Sequence, residues 1–266
     1  MAQLLPNRHV GDAPWLGFLL MATRGHTGTP GPGRRSRAAL VLAGLLLCAG
    51  CEDSLGQPPP RPDGPSAVAA CLTGSGDLIA DVDDDGRPDR ITDPSHHGAG
   101  LAIAFGTGSR RERTVPARGL ADRPGNRQRY VRAAVADFDQ DGWSDLAVVA
   151  GRAQGGDDPV PPRVAELRLG PFSGTGRSRR TVRLDLGATQ DIAVADHNHD
   201  RYPDLVAYTY SGDGVYEFQA RLGNPRTGLG AGTRAYTTDA EATGYDPPAR
   251  LPHAGLTPFY PGCRTG

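Results

Sequence analysis

The stretch ADFDQDGWSDLAVVAG, Ala136 to Gly151, places three aspartates on alternate positions, adds a glycine and a fourth aspartate, and then runs into apolar residues. The same arrangement occurs in DVDDDGRPDRIT from Asp81 and in DHNHDRYPDLVAY from Asp196. Carboxylates packed this closely repel one another unless a positive charge lies among them. We call the stretches 81–89, 137–145 and 196–204 the first, second and third aspartate loops, and we number their positions 1 to 9.

The acidic residues of the chain are concentrated in these loops. The 266 residues carry a formal net charge of -1, and 12 of the 30 acidic residues lie in the three loops. This balance argues against a nucleic-acid partner, whose binding surfaces are strongly basic. The chain is rich in glycine (37) and proline (24) and poor in aromatic residues (6%), which favours short strands joined by turns and predicts an all-β fold.

Further features recur with the loops, which start 56 and 59 residues apart. The segments Leu101 to Val115 and Ala165 to Val182 share a strand-like run, a glycine corner, an arginine cluster and a Thr-Val pair, and Tyr216 to Tyr236 is a looser copy. Alternating and β-branched residues predict strands, and repeats of this length indicate stacked or radial architectures. Each unit therefore predicts a strand, an aspartate loop, and three further strands separated by turns.

This unit resembles the FG-GAP or VCBS repeat, the type found in the N-terminal region of integrin alpha chains. The resemblance covers about Cys71 to Tyr236, and it implies antiparallel four-stranded blades of a β-propeller with calcium bound in each aspartate loop. The chain has fewer such units than the family's propellers commonly have. We therefore expect a small propeller closed by joining Cys71 to Cys263, or else an incomplete one. The Phe-Gly element of the family corresponds to Phe105-Gly106, Leu169-Gly170 and Leu222-Gly223.

The resemblance also implies the ligands of each loop. Positions 1, 3, 5 and 9 supply side-chain oxygens and position 7 supplies its backbone carbonyl, while glycine at position 6 permits a sharp turn. A flexible cage of hard oxygen ligands suits Ca²⁺ better than magnesium or zinc. The implied ligand sets are Asp81, Asp83, Asp85, Arg87 and Asp89; Asp137, Asp139, Asp141, Trp143 and Asp145; and Asp196, Asn198, Asp200, Tyr202 and Asp204.

The third loop departs from this pattern at two positions. Asn198 removes one negative charge, and Arg201 stands where the other loops have glycine. A left-handed conformation costs a residue with a side chain about 1 kcal/mol. We therefore predict that the third loop binds a cation most weakly or not at all.

Two other structures contain loops of similar composition. An EF-hand requires a bidentate glutamate at position 12, but Thr92, Val148 and Ala207 occupy that position, and the residues after each loop are typical of strands. The loops would also be compatible with turns that bind no metal, because aspartate and glycine favour turns on their own. The sequence excludes the EF-hand and leaves the second alternative open.

The segment 34–51, RRSRAALVLAGLLLCAGC, predicts a signal peptide. Arginines precede an apolar run from Ala38 to Leu47, and ten residues span only about 15 Å as a helix, about half of a bilayer core. The ending CAGC resembles the lipobox of bacterial lipoproteins, with Cys48 where that motif usually has leucine. The resemblance implies that Cys51 is lipidated; an ordinary secretory signal cut nearby is the alternative.

These features divide the chain into four segments. Residues 1–33 are predicted to be a dispensable extension, explained if translation starts at Met21 or later. The signal peptide 34–51 is followed by a proline-rich tether, 52–70, and by the repeat domain, 71–266. If Cys48 leaves with the signal and Cys51 carries lipid, Cys71 and Cys263 remain, and we predict that they form a disulfide in an oxidising compartment.

The sequence contains no catalytic motif that we could identify, and it is therefore predicted not to encode an enzyme. We expect an extracellular, lipid-anchored, monomeric domain in which calcium has a structural role. Its expected function is binding, adhesion or cell-surface organisation through an unidentified protein or glycan ligand, with membrane attachment through the N-terminal lipid. The alternative is a surface hydrolase or lyase acting on polysaccharide, or the accessory domain of such an enzyme.

Overall fold

A computed structural model describes residues 64, 66–95, 99–121, 130–178, 180–232, 237–239 and 254–264. These residues belong to one compact unit, Gly50–Gly266. The predicted extension 1–33, the signal peptide 34–51 with Cys51, and most of the tether 52–70 lie outside the described residues.

The first sheet contains the first aspartate loop. Five strands lie in sequence order, each antiparallel to its neighbour. They are β1 (Cys71–Leu72), β2 (Leu78–Ala80), β3 (Asp89–Thr92), β4 (Ala102–Phe105) and β5 (Arg113–Pro116). A short helix that the sequence did not predict, α1 (Ala117–Ala121), follows β5 and buries Leu120.

The second sheet repeats the same order of strands around the second loop. Four antiparallel strands lie in sequence order. They are β6 (Tyr130–Ala136), β7 (Asp145–Gly151), β8 (Val164–Leu169) and β9 (Arg180–Arg183). The apolar run after the second loop forms β7, and every residue of β7 is buried, as expected for a strand covered on both faces.

The third sheet has the same first three strands but a different connection to its fourth. Its strands are β10 (Ala188–Ala195), β11 (Asp204–Gly212), β12 (Val215–Arg221) and β15 (Thr237–Asp239). A separate hairpin of β13 (Gly223–Asn224) and β14 (Gly228–Leu229) lies between β12 and β15 in the chain. The hairpin is closed by the Asn224 side chain, which accepts hydrogen bonds from the N–H groups of Arg226 and Thr227. The end of the looser copy, residues 233–236, lies outside the described residues.

The prediction of an all-β fold is confirmed, with almost no helix in the described residues. The described strands form several antiparallel sheets, and none of these sheets closes into a barrel. Buried side chains from all three large sheets belong to one hydrophobic core. The outer strands β5 and β9 are largely exposed, so the core lies among the inner strands of the sheets.

The segment between β3 and β4 links the inner strands of the other two sheets. The carbonyl of Pro94 accepts a hydrogen bond from Val135 N–H of β6 at 2.8 Å, and the carbonyl of Ser95 accepts one from Val194 N–H of β10 at 2.9 Å. These bonds tie the three sheets together beside the strands that lead into the second and third aspartate loops.

The segment 254–264 returns to the start of the first sheet. Leu72 of β1 forms a parallel bridge with Gly262: its N–H donates to the carbonyl of Pro261, and its carbonyl accepts from Cys263 N–H, both at 2.8 Å. Cys71 and Cys263, the pair predicted from the sequence, are joined by a disulfide with their Cα atoms 4.9 Å apart. Two segments 192 residues apart are thereby fixed side by side.

Candidate metal centre

Each aspartate loop connects two paired strands at the same place. An alanine ends the strand before the loop, position 1 follows it directly, and position 9 begins the next strand. The alanine and the position 9 aspartate are cross-strand partners in all three sheets. The two ends of each loop are therefore held together by the ladder. The pairs are Ala80 with Asp89, Ala136 with Asp145, and Ala195 with Asp204.

The position 9 aspartate joins the loop to the third strand of its sheet. In the second loop, one oxygen of Asp145 accepts a hydrogen bond from Phe138 N–H at 3.0 Å and the other accepts one from Gly170 N–H at 2.8 Å. Asp89 makes the same two bonds with Val82 and Gly106, and Asp204 makes them with His197 and Gly223. All three of these aspartates are at most 1% exposed.

This bond explains the glycine of the two Leu-Gly elements, where the approach that lets the N–H reach the buried carboxylate leaves no room for a side chain. In the Phe-Gly element, Gly106 has φ of +60° instead, and a Cβ there would lie 3.1 Å from Ser109 Oγ. A Cβ on Gly170 would lie 2.3 Å from the carbonyl oxygen of Ser144, and one on Gly223 would lie 2.7 Å from that of Pro203. The element is therefore the partner of position 9.

Position 1 holds the tip of each loop. The two oxygens of Asp137 accept hydrogen bonds from the N–H groups of Asp141 and Gly142 at 3.1 and 3.0 Å, and Asp81 does the same for Asp85 and Gly86 at 3.2 and 3.0 Å. Positions 4 and 6 have positive φ in every loop. Position 4 is Asp84, Gln140 or His199, and position 6 is Gly86, Gly142 or Arg201.

Two of the three loops bring three carboxylates together. In each of them, one oxygen from positions 1, 3 and 9 lies within 4.8 Å of the corresponding oxygens of the other two. Such a cluster could hold a metal ion. The clusters are Asp81, Asp83 and Asp89 in the first loop, and Asp137, Asp139 and Asp145 in the second.

The electrostatics of the clusters favour a positive charge. Burial, together with the neighbouring carboxylates Asp85 and Asp81, raises the pKa of Asp83 to about 6. Burial also raises the pKa of Asp89 to about 7 and that of Asp137 to about 7, and it raises the pKa of Asp145 well above its ordinary value. A buried carboxylate with a raised pKa is stabilised in its ionised form when a cation lies beside it.

The donor set of the clusters also fits a hard cation. Carboxylate oxygens are the ligands preferred by ions such as Ca²⁺ and Mg²⁺. Oδ1 of Asp83 is buried and accepts no hydrogen bond from any described residue. A buried acceptor left without a donor costs free energy, and a bound cation would remove that cost.

Positions 5 and 7 stand outside the three-carboxylate clusters. The predicted ligands Asp85 and Asp141 are not members of these groups. Their side chains accept hydrogen bonds from the backbone N–H of position 7 instead, Arg87 and Trp143, both at 2.9 Å. In the third loop the N–H of Tyr202 donates in the same way to Asp200, at 2.8 Å.

The third loop keeps the backbone shape and forms no three-carboxylate cluster among the described residues. Its Asn198 turns toward Asp200, donating from Nδ2 at 2.8 Å and accepting from Asp200 N–H at 3.2 Å. Arg201 adopts φ of +68°, the conformation that glycine has in the other loops. Asp196 accepts the N–H of Arg201 at 3.3 Å with both oxygens.

The second loop is the most enclosed of the three. The indole of Trp143 is buried, and its Nε1–H donates to the carbonyl of Gly64 at 2.7 Å. On the other side, Asp137 N–H donates to the hydroxyl of Tyr260 at 2.8 Å. A cleft of about 500 Å³ opens beside this loop. It is lined by Asp137, Gln140, Asp141, Gly142, Arg201, Pro203, Phe259 and Tyr260.

No protein-family model, no curated protein and no solved structure matches the chain. Among the described residues, no helix has both the length and the hydrophobicity that a bilayer crossing requires.

Sequence reasoning missed two parts of this centre. The double hydrogen bond at position 9 was not predicted, although the recurring glycine of the Phe-Gly element was a signal for it. Tyr260 was also missed, and no sequence signal would have found it, because it lies 123 residues from Asp137 and outside the repeated pattern.

Proposed function

We propose that this protein is a calcium-binding repeat domain of the cell surface, with a small β-propeller-like arrangement of its sheets. It acts in binding, adhesion or surface organisation through a protein or glycan ligand, and the lipidated Cys51 attaches it to the membrane. The observation that carries the proposal is the pair of carboxylate clusters built identically in the first and second aspartate loops. The third loop contributes a structural turn.

The surroundings of the clusters support calcium as the ion. Both loops are exposed at position 6 and half-buried or exposed at position 5, so waters can complete a coordination sphere of six to eight oxygens. Magnesium demands stricter octahedral geometry at shorter distances and retains its waters, which suits a cluster of three carboxylates less well.

A structural role for the ion follows from where the clusters lie. Each cluster unites the end of one strand, the loop and the start of the next strand. Position 9 of the same cluster also holds the third strand of its sheet through Gly106 or Gly170. Neutralising the cluster therefore stabilises three strands at once, and the free energy of cation binding adds to the free energy of unfolding.

A calorimetric calcium titration of chelator-stripped protein, followed by thermal unfolding with and without the ion, tests the proposal. We expect two binding sites and a higher Tm in calcium, with magnesium giving a smaller shift at the same concentration. The matched controls are Asp83→Asn and Asp139→Asn, each of which should remove one site.

Two results would contradict the proposed calcium sites. If the stripped protein takes up no calcium and its Tm does not change, the aspartates form turns only and the proposed function is wrong. If the stoichiometry is two and both asparagine variants retain it, the cation binds elsewhere on the chain.

A further inference from the structure

The second aspartate loop has a contact that the other two lack among the described residues. The backbone N–H of Asp137, at position 1, donates to the side-chain hydroxyl of Tyr260 at 2.8 Å. In the described part of the chain, no side chain accepts a hydrogen bond from the N–H of Asp81 or of Asp196, the same position in the first and third loops. The difference is specific to the N–H group from which the second loop begins.

Tyr260 is held firmly in place by its own segment. The N–H groups of Phe259 and Tyr260 both donate to the carbonyl of Leu256, at 3.0 and 3.1 Å, so the backbone turns at this point. The next residues form the bridge to Leu72, and Cys263 carries the disulfide to Cys71. The segment 256–263 therefore has one end fixed to the first sheet and presents Tyr260 to the second loop.

The orientation of Asp137 matters for the whole loop. Its carboxylate is one of the three in the cluster, and its two oxygens also hold the N–H groups of Asp141 and Gly142. A shift of the Asp137 backbone would move a candidate ligand and release the tip of the loop together. Removing the tyrosine hydroxyl would leave the Asp137 N–H without its acceptor and so favour such a shift.

We propose that Tyr260 is a positioning residue for the second aspartate loop, and that the disulfide-locked segment 256–263 sets the cation affinity of this loop but not that of the first. The inference rests on the proposed function, because it concerns cation binding by the same loops. It makes the two sites unequal: position 1 of the second loop depends on Tyr260, whereas the first loop is contacted from outside its sheet at position 2, where the carbonyl of Val82 accepts from Phe172 N–H at 2.8 Å.

This arrangement also makes the second site sensitive to redox conditions. A dithiol that reduces the Cys71–Cys263 bond becomes a disulfide itself and leaves two thiols on the protein. Among the described residues, the segment is then held to β1 by the two hydrogen bonds at Leu72, and Gly255 N–H still donates to the carbonyl of Val194 in β10 at 2.9 Å. Tyr260 is less well fixed in this form, and the affinity of the second loop falls.

Trp143 at position 7 of the second loop provides a site-specific reporter. The chain contains two tryptophans, Trp15 and Trp143, and the first loop has Arg87 at the equivalent position. We would use the full chain carrying Trp15→Phe and titrate it with terbium, a hard trivalent cation whose luminescence is excited through a nearby tryptophan. This measures the second loop, while calcium calorimetry in an added Asp139→Asn background measures the first.

The variants to compare are Tyr260→Phe, the double variant Cys71→Ser with Cys263→Ser, and the parent protein with and without a dithiol. We expect Tyr260→Phe to weaken terbium binding about threefold to tenfold, the loss that corresponds to one hydrogen bond. Terbium binding should be weakened at least as much in the Cys71→Ser, Cys263→Ser double variant and in the reduced parent. A dithiol should not change terbium binding by the double variant. Calcium affinity of the first loop should stay the same in all of them.

The results that would overturn the inference differ from those that would overturn the proposed function. Equal terbium affinity in the parent and in Tyr260→Phe, or an equal loss at both loops, removes the special role of Tyr260. Absence of tryptophan-excited terbium emission from the parent removes the proposed cation site itself. Circular dichroism establishes whether each variant is folded. If a variant is not folded, the dithiol experiment on the parent protein tests the inference in its place.

Discussion

The second and third aspartate loops share a backbone and differ in what that backbone can bind. Both have positive φ at positions 4 and 6, and both are held by a buried position 9 aspartate that accepts two N–H groups. Of these two loops, only the second brings three carboxylates together among the described residues. In the third, Asn198 bonds to Asp200.

The motif combines two properties in one pattern. The shape of the loop is set by hydrogen bonds that positions 1 and 9 accept; the third loop retains both bonds at position 9 and, at position 1, the bond from the position 6 N–H. The cluster of three carboxylates requires an acidic side chain at position 3, where the third loop has an amide. A loop can therefore lack the cluster and still serve as the turn between two strands.

The largest effect is expected at position 9, where the loops are alike. An asparagine at Asp204 or Asp145 would point its amide group at one of the two N–H donors, leaving that donor buried without an acceptor. We expect Asp204→Asn to lower the free energy of unfolding by about 2 to 3 kcal/mol, measured by urea denaturation. Asp145→Asn should cost more in calcium than in chelator, because it also removes a candidate ligand.

The Asp204→Asn measurement can break the comparison. If this variant is as stable as the parent, the double hydrogen bond does not hold the third loop. The shared backbone would then need another explanation.

The next effect is expected at position 3, where the loops differ. Asp139→Asn should remove the calcium-dependent stabilisation of the second loop, about 2.7 kcal/mol at a calcium concentration 100 times the Kd. The converse is the double variant Asn198→Asp with Arg201→Gly, which should create a third calorimetric site. If it gains no site, position 3 alone does not decide binding.

A pH dependence follows from the raised pKa values of Asp83, Asp89 and Asp137, about 6, 7 and 7. In chelator these groups bind protons more tightly in the folded than in the unfolded state, so their stabilising effect is complete below about pH 4 and is lost as the pH rises through 6 to 7. We therefore expect the Tm of the stripped protein to fall between pH 5 and pH 8, and the burial that raises the pKa of Asp145 adds to this effect.

Calcium should reverse this trend, because protons compete with the cation for the same oxygens. The difference in Tm between calcium and chelator should grow as the pH rises. A stripped protein whose Tm rises over this range would contradict the raised pKa values.

The smallest effect concerns the backbone at position 6. Arg201 has φ of +68°, so Arg201→Gly should raise the free energy of unfolding by up to about 1 kcal/mol. The matched control is Gly86→Ala, whose φ is +76° and whose added Cβ would meet no atom within 4 Å. Gly86→Ala should lower the free energy of unfolding by a similar amount, also measured by urea denaturation. If both variants change the free energy of unfolding in the same direction, the positive-φ conformation costs nothing in these loops.

The sequence predicts the parts of this molecule that depend on nearby residues. The strand that starts at Asp145 and the turn before it follow from alternating aspartates, a glycine and an apolar run. The same local pattern identified Asn198 and Arg201 as the positions at which the third loop departs from the others. A turn of nine residues depends on residues close in sequence, so residue types and spacing are sufficient to predict where it lies.

The features that the sequence did not predict depend on residues far apart in the chain. The contact between Tyr260 and Asp137, and the approach of Gly170 to Ser144, arise only when separate elements pack. Helix α1 was missed since its five residues carry no helical periodicity.

The parallel bridge between Leu72 and Gly262 has a consequence for the order in which the protein can fold. A ribosome adds about 5 to 20 residues per second, so Cys71 waits roughly 10 to 40 s for the residue 192 positions later that becomes its partner. During that time the outer edge of β1 carries unpaired N–H and C=O groups, which can pair with a strand of another chain. The edge of β1 is therefore protected only after residues 261–263 have emerged, so a segment that is made late covers one that is made early.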